Sequence, residues 1–299
     1  MTPDRLHVVR PTAVPAPVGV YDSGFGGLSV LSALQKHLPD VDFLYLGDSG
    51  RAPYGGRSAD TILDFAEQAI ERLFEEGCRV VVVACNTVSC VALRHLQQRY
   101  APVSSGSRRI LGVTIPAAEL VVASGARTVG VLATPRTVAS GTYVAEIHKL
   151  DPSVRVIQRS APLLAPIVEE GWEDTSIAEE ALRRYLSDLD ACDAILLGCT
   201  HYPLLAPAIG RVVRKGVRVI DPSQTVALRL ADWVERHPEF EPGRGGTLRV
   251  LCSGDTVSFA EHGARFLGRP LPTVEPVAEV LGKLVPAATT APARGQVVR

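Results

Sequence analysis

Two apolar segments of the chain each end in a cysteine that is followed at once by small polar residues. They are "VVVACNTVS" (81–89), which contains Cys85, and "ILLGCTHYP" (195–203), which contains Cys199. A thiol has an ordinary pKa of roughly 8.5, close enough to neutral pH for the group to accept and donate protons. If two thiols face each other, one can remove a proton from a substrate carbon while the other delivers a proton to the opposite face. Such a pair suits the inversion of a stereocentre, because the thiols exchange roles when the reaction reverses.

The elements that must carry these thiols form a pattern that occurs twice. Short aliphatic runs alternate with helical stretches, which is typical of an α/β fold with a mainly parallel sheet. "PVGVYDSG" (17–24) is similar to "TVGVLATP" (128–135), and "CRVVVVACNT" (78–87) is similar to "CDAILLGCTH" (192–201). The first pair begins 111 residues apart and the second pair 114 residues apart, since 128 − 17 = 111 and 192 − 78 = 114.

We therefore predict two similar lobes, each a mainly parallel sheet flanked by helices. In parallel α/β sheets, ligands bind at the carboxyl ends of the strands, so the active site is predicted in the cleft between the lobes. The segment "RILGVTIP" (109–116) is predicted to be the last strand of the first set. The predicted boundaries are a loose extension over 1–17, a first lobe over 18–113 together with 224–268, a second lobe over 114–223, and a mostly loose tail over 269–299.

Polar residues at the predicted strand ends provide partners for the thiols. Asp22 and His201 are suited to relaying protons or orienting the sulfurs, and Glu169, which follows "PLLAPIV", is a further candidate. Alternatives stay open, because Asp22 in "DSG" also fits a turn and His201 also fits an ordinary loop histidine. Cys85, Cys199 and His201 would supply three ligands to zinc, but no CxxC pair accompanies them, and we predict no metal.

Composition excludes several classes of function. The 299 residues carry a formal net charge of −1, so no nucleic-acid or membrane partner is predicted. Six cysteines in a chain of this length do not indicate a disulfide framework. No run of about 18 uncharged apolar residues and no signal-peptide pattern is present, so we predict a cytoplasmic protein. Four of the cysteines are expected to be small buried apolar residues: Cys78, Cys90, Cys192 and Cys252.

No organic cofactor is predicted either. The glycines of "GFGG" (24–27) lack the G-x-G-x-x-G spacing of a dinucleotide site, and we expect them to let the backbone approach a small anion. None of the four lysines lies in a recognisable pyridoxal-phosphate setting.

Six blocks of sequence, taken together, resemble the cofactor-independent glutamate racemases of the aspartate/glutamate racemase superfamily. They are "GVYDSGFGGLSV", "YLGDSGRAPYG", "VVACNTVS", "VGVLATPRTVASGTY", "PLLAPIVEEG" and "LGCTHYPLL", in that order along residues 18–225. The resemblance implies interconversion of L- and D-glutamate, with the D form used in bacterial peptidoglycan synthesis. One departure from the family pattern is Ala133 in "LATP", where many relatives have glycine before the threonine.

The resemblance also implies roles for individual residues. It makes Cys85 and Cys199 the catalytic thiols, with Cys85 acting on D-glutamate and Cys199 on L-glutamate, and Glu169 an auxiliary acid. It places substrate contacts on a larger set of strand-end and loop residues: Asp22, Ser23, Pro53, Tyr54, Gly55, Asn86, Thr87, Thr134, Thr137, Thr200 and His201.

Two rival functions remain. One is another reaction of the same superfamily, such as an aspartate or hydantoin racemase, or a decarboxylase that uses one cysteine. The other is a two-lobed small-molecule binding protein, which would need the polar strand ends but not the paired thiols. In either case we expect backbone amides, short polar side chains and the starts of helices after "DSG", "CNT" and "CTH" to hold the ligand, without an arginine. The oligomeric state stays open, with a homodimer as one alternative.

Overall fold

Strands and helices alternate along residues 16–103 and 107–287, the part of the chain that the computed structural model describes. The strands are β1 (Val18–Asp22), β2 (Phe43–Gly47), β3 (Val80–Val83), β4 (Arg109–Gly112), β5 (Thr128–Ala133), β6 (Arg155–Ser160), β7 (Ala194–Gly198), β8 (Arg218–Ile220), β9 (Leu248–Cys252), β10 (Val274–Val280) and β11 (Lys283–Pro286). The helices are α1 (Leu28–His37), α2 (Ala59–Glu75), α3 (Asn86–Val91), α4 (Leu93–Val103), α5 (Thr114–Ala123), α6 (Pro135–Ser140), α7 (Thr142–Leu150), α8 (Leu164–Glu169), α9 (Ser176–Leu186), α10 (Ala206–Val212), α11 (Ser223–Arg236) and α12 (Thr256–Leu267). Short 3₁₀ helices cover Ser49–Arg51, Ser187–Leu189, Tyr202–Leu205 and Pro238–Phe240.

The strands form two sheets whose topologies repeat. The order in the larger sheet is β11-β10-β9-β2-β1-β3-β4, and the order in the smaller sheet is β6-β5-β7-β8. The run β2-β1-β3-β4 therefore matches the whole smaller sheet. All neighbouring strands are parallel except β10 and β11. The α/β class with two similar, mainly parallel lobes is confirmed.

Helix α2 shows why the local sequence gives these elements. Its buried residues Ile62, Ala66, Ala69 and Leu73 recur at intervals of three and four, so one face of the helix is apolar and packs on the sheet. Ser58 caps the helix, because its Oγ accepts a hydrogen bond from the backbone N–H of Thr61 at 3.1 Å.

The lobes share one continuous apolar cluster. It includes Val20 and Leu31 from the first lobe and Leu182 and Leu197 from the second. Burial of this shared surface favours association of the lobes. The strand β9 pairs in parallel with β2, which places the C-terminal segment on the first lobe. On the basis of this sheet pairing we propose the lobe boundaries given above, 18–113 with 224–268 and 114–223, with the first lobe extended through β10 and β11, which continue its sheet.

The prediction of a strand over 109–116 is wrong in its second half. β4 ends at Gly112, and α5 begins at Thr114. The β-branched residues Thr114 and Ile115 favour a strand when read locally. Pro116, however, lies in the first turn of α5, where its missing N–H leaves no helical hydrogen bond unmade.

The prediction of a mostly loose tail over 269–299 is also wrong for its first half. β10 and β11 form an antiparallel hairpin, and β10 pairs in parallel with β9. Charged residues and Pro276 hide this strand pattern, because proline lacks the N–H of a sheet hydrogen bond and charged residues are uncommon in strands. The remainder of the tail, 288–299, and the first 15 residues of the predicted extension lie outside the described residues. None of the helices in the described part combines the length and apolar character that a membrane crossing requires.

Candidate active site

The carboxyl ends of the central strands of both sheets meet at a cavity of about 50 Å³ between the lobes. Both strand-end cysteines face it, Cys85 from the first lobe and Cys199 from the second. The lining residues are Ser23, Gly24, Ala52, Pro53, Tyr54, Gly55, Cys85, Asn86, Thr87, Thr134, Ala165, Glu169, Cys199, Thr200 and His201. Most residues predicted from the sequence thus line one cavity, and no arginine appears among these lining residues. Gly24, Ala52 and Ala165 are additions that present little beyond backbone, a contribution that residue types do not reveal.

Cys85 occupies the position just before helix α3 and is buried. Its Sγ lies 3.4 Å from Oγ of Ser23. Burial, and after it the charge of Asp22, raise the pKa of the Cys85 thiol to about 12 against the opposing hydrogen bond with Ser23. The Cys85 wall therefore keeps its thiol protonated at neutral pH until a partner accepts the proton.

Cys199 belongs to a chain of three side chains on the second lobe. Its Sγ lies 3.8 Å from Nδ1 of His201, and Nε2 of His201 lies 3.0 Å from Oε1 of Glu169. Burial lowers the pKa of His201, but the hydrogen bonds with Cys199 and Glu169 outweigh burial and raise it to about 10. A protonated imidazole thus lies beside Cys199 at neutral pH, and its positive charge stabilises negative charge on the sulfur.

Asp22 lies directly behind the cavity and is fully buried. Its Oδ2 accepts the backbone N–H of Gly24 at 3.0 Å, and its Oδ1 accepts the hydroxyl of Thr200 at 3.4 Å. Burial raises the pKa of Asp22, while the nearby charge of His201 lowers it. The alternative of a turn residue is therefore correct in part, and the same carboxylate also bridges to the second lobe.

Three threonine hydroxyls join the lobes at another edge of the cavity. Oγ1 of Thr87 lies 2.9 Å from Oγ1 of Thr134, and Thr134 in turn lies 3.0 Å from Oγ1 of Thr137. Thr137 is buried behind Thr134 and does not line the cavity. Asn86 is held by Tyr143, whose hydroxyl donates to its side-chain oxygen.

The loop with Pro53, Tyr54 and Gly55 depends on a carboxylate that the sequence prediction missed. Tyr54 donates its hydroxyl hydrogen bond to Asp48, which also accepts Nε of Arg51 at 2.8 Å and Oγ of Ser253 at 2.5 Å. Asp48 begins a "DSG" directly after β2, and Asp22 begins a "DSG" as the last residue of β1. This repeated tripeptide is the signal that identifies Asp48 as a candidate.

Gly26 and Gly27 of "GFGG" also allow close packing, which the sequence prediction of an anion-facing backbone did not include. A Cβ on Gly26 would lie 2.5 Å from Nδ1 of His201 and 2.5 Å from Oγ1 of Thr200, and a Cβ on Gly27 would lie 2.5 Å from Cβ of Asp22. The glycines therefore allow the second lobe and Asp22 to approach the chain closely, because any side chain would occupy that space. Of the three predicted α-helix starts, only α3 begins directly at its motif, at Asn86 of "CNT". α1 begins at Leu28, after "DSG" and three further residues, and after "CTH" a 3₁₀ helix at Tyr202–Leu205 precedes α10.

Cys78, Cys192 and Cys252 are buried away from the cavity, and Cys90 is half-buried. Among the described residues, no three His, Cys, Asp or Glu side chains are grouped as a metal ion would require.

A cleft between two parallel α/β lobes with one thiol on each wall defines a class of proteins equipped for two-sided proton transfer. A family model described as Asp/Glu/Hydantoin racemase matches residues 29–230, and the chain belongs to this family. The glutamate racemase of Roseobacter denitrificans is 38% identical over 84% of this chain and 97% of its own length.

Two solved structures extend the comparison. A glutamate racemase from Francisella tularensis in complex with D-glutamate is 31% identical, with a TM-score of 0.81 over 88% of this chain and 98% of its own. A glutamate racemase from Thermus thermophilus in complex with β-chloro-D-alanine is 38% identical, with a TM-score of 0.78 over 88% of this chain and 97% of its own. Both likenesses cover the two lobes and the cleft.

Proposed function

We propose that this protein is a glutamate racemase that interconverts L- and D-glutamate by proton transfer at Cα, without a cofactor. The observation that carries the proposal is the placement of Cys85 and Cys199 at the ends of matching strands on opposite walls of one cavity. The similarity of the chain to glutamate racemases over most of its length supports glutamate as the substrate over the other substrates of the family. The D-glutamate formed would supply peptidoglycan synthesis in the cytoplasm.

The proposed proton transfer uses one thiolate and one thiol at a time. In the direction from L- to D-glutamate, Cys199 acts as the thiolate beside the protonated imidazole of His201, and Cys85 holds its proton. Cys199 removes the proton from Cα of L-glutamate, and Cys85 delivers its own proton to the opposite face, which yields D-glutamate. The reverse reaction starts from ionised Cys85 and protonated Cys199.

Asp22 and His201, on this proposal, assist the two thiols unequally. Asp22 is close enough to Cys85 for its charge to act on the thiol, and it is suited to accept a proton because burial disfavours its ionised form. His201 stabilises the charged form of Cys199, and Glu169 stabilises the imidazolium in turn. The substrate carboxylates and ammonium are held by lining groups: Ser23, Pro53, Tyr54, Gly55, Asn86, Thr87, Thr134 and Thr200, with Thr137 behind them.

Circular dichroism of glutamate solutions tests the proposal directly. Purified protein, dialysed against a chelator and without added cofactor, should bring solutions of L-glutamate and D-glutamate to the same zero ellipticity. The same assay with aspartate tests the main rival within the family, and glutamate should react much faster. Binding of glutamate without loss of ellipticity would instead favour the two-lobed binding protein. Sedimentation equilibrium on the same sample determines whether the protein is a homodimer.

A further inference from the structure

Helix α12 lies beyond the residues that the family model matches, yet it reaches the Cys199 side of the cavity. The ring of Phe266 lies 5.2 Å from the ring of His201, at an interplanar angle of 75°. Phe25 lies on another side of the same imidazole, with ring centroids 5.8 Å apart. Edge-to-face packing of this kind limits how a ring can rotate. Phe266 therefore restricts the imidazole that contacts Cys199.

Arg265 precedes Phe266 in the sequence and contacts Glu169, the residue at the far end of the Cys199–His201–Glu169 chain. Its Nη2 donates to both carboxylate oxygens of Glu173, each at 2.6 Å, and its Nη1 donates to the backbone carbonyl of Glu169 at 3.3 Å. The backbone of Gly171 has φ +77, and a Cβ there would lie 3.7 Å from Cζ of Arg265. The glycine provides the left-handed conformation of this turn, and the guanidinium packs on it at ordinary contact distance.

This contact matters because α8 spans only the six residues Leu164–Glu169. A helix this short has little stability of its own, and a cation at its C-terminus satisfies a carbonyl and complements the helix dipole. Arg265 thus fixes the last residue of α8, Glu169, whose carboxylate lies 3.0 Å from Nε2 of His201.

We infer that Arg265 and Phe266 are positioning residues that orient Glu169 and His201, and through them Cys199, for proton transfer on one face of the substrate. The inference rests on the proposed function. It assigns to α12 a role in the chemistry of the opposite lobe, because Arg265 clamps the backbone that carries Glu169 while Phe266 restricts the ring that Glu169 contacts.

The test requires a reaction in which only one thiol acts. A glutamate analogue with a leaving group on the atom next to Cα provides it. The thiolate removes the Cα proton, the electron pair forms a double bond to the neighbouring atom, and the leaving group departs with its bonding pair. Racemisation rates cannot distinguish the contribution of Cys85 from that of Cys199. The two enantiomers have equal free energy in water, so kcat/KM must be equal in both directions.

The variants are Arg265→Met, Glu173→Gln, their combination, and Phe266→Leu. We expect elimination from the enantiomer that Cys199 serves to fall about 10- to 100-fold in kcat with little change in KM, as for a misplaced catalytic group. Elimination from the other enantiomer should keep its rate. Arg265→Met and Glu173→Gln break the same bridge, so the double variant should be no slower than the slower single variant. Arg265→Lys keeps the positive charge but not the two donor nitrogens of the guanidinium, so it should recover part of the elimination rate.

Arg229→Met is the matched control. Nε of Arg229 donates to Glu119 at 2.7 Å and joins α11 to α5, and this bridge touches neither Glu169 nor His201. It should leave the ratio of the two elimination rates unchanged.

The inference would be overturned if Arg265→Met slowed elimination from both enantiomers equally, or left both elimination rates unchanged. If Phe266→Leu does not fold, as thermal unfolding would show, the Arg265 and Glu173 variants decide the matter. If the wild-type protein racemises glutamate and the variants eliminate at the wild-type rates, only the positioning role is contradicted. Wild-type protein without racemisation contradicts the proposed function, and the inference with it.

Discussion

Cys85 and Cys199 follow matching strands, β3 and β7, yet their neighbours differ in charge. Cys85 has a serine hydroxyl at 3.4 Å and a buried carboxylate nearby, whereas Cys199 has an imidazole at 3.8 Å that is backed by a second carboxylate. The first environment favours the neutral thiol, and the second places a protonated imidazole beside the sulfur. Duplication of the lobe thus repeats the backbone that presents each sulfur but not the group that assists it.

The matched positions show how the asymmetry arises. Asp22 ends β1, and the corresponding end of β5 is Ala133. Two residues beyond each cysteine stand Thr87 in the first lobe and His201 in the second. Each lobe therefore provides one ionisable partner, but at a different place in the repeat. The comparison leads to predictions that separate the two walls.

The largest effect should follow from removing either thiol. Cys85→Ala and Cys199→Ala should each reduce racemisation by at least about 10²- to 10⁴-fold, the range typical of a positioned proton carrier. With the eliminating analogue, each variant should retain activity on one enantiomer only, and the two variants should retain opposite ones. Cys192→Ala, which removes a buried thiol outside the cavity, is the control. Activity of one cysteine variant on both enantiomers would contradict the two-thiol proposal.

Replacing the ionisable partner of either thiol should have a smaller effect, confined to elimination through that thiol. His201→Asn should slow elimination through Cys199, and Asp22→Asn should slow elimination through Cys85, each by about 10- to 100-fold, less than loss of the proton carrier itself. Racemisation should fall equally in both directions for both variants. Rates are measured by release of the leaving group from each enantiomer. If His201→Asn slows both enantiomers alike, the partners do not belong to separate walls.

Asp48 allows a further comparison, because it directly follows β2 whereas Asp22 ends β1, and its hydrogen bonds stay within the first lobe whereas Asp22 accepts one from Thr200 of the second. Asp48→Asn should weaken the bonds to Tyr54, Arg51 and Ser253 and lower the free energy of unfolding by about 1–3 kcal/mol. Urea unfolding measures the change, and Asp60→Asn, at an exposed position, should stay within about 0.5 kcal/mol of wild type. The ratio of the two elimination rates should stay as in wild type.

A last prediction concerns pH. The pKa of His201 is about 10 in the folded protein and about 6.5 when unfolded, so protonation favours the folded state. This contribution is fully present below about pH 6.5 and is lost as pH rises through about 10. Wild type should therefore lose thermal stability across that window relative to His201→Asn, which lacks the titration. Parallel curves of Tm against pH for the two proteins would show that His201 has no raised pKa.

Residue types and their spacing predict a large part of this architecture. The paired apolar runs and their offsets of 111 and 114 residues predict two similar parallel lobes, and the sheet orders confirm them. The strand-end positions of Cys85 and Cys199 follow from the same pattern. Such features are predictable because alternation of strands and helices depends on local hydrophobic patterning, and parallel strands bring their carboxyl ends together.

The errors fall where local patterns compete with tertiary contacts. Thr114–Ala123 is a helix although its first residues favour a strand, because α5 packs against α7 and α11. The hairpin of β10 and β11 exists because β10 finds β9 as a partner, which no local pattern indicates. Ala133 departs from the family pattern, but its partner Gly198 leaves room for it, since a Cβ on Gly198 would lie 2.9 Å from that of Ala133.

The sequence by itself determined the fold class, the repeat, and the presence of two thiols at equivalent strand ends. Only the tertiary structure decided which groups act on each thiol. Glu169 reaches His201 because α8 packs against the 3₁₀ helix at Tyr202–Leu205, which directly follows His201. Arg265 reaches Glu169 from a helix 96 residues further along the chain. Hydrogen bonds and burial act over a few ångströms in space, whereas sequence patterns record only neighbours along the chain.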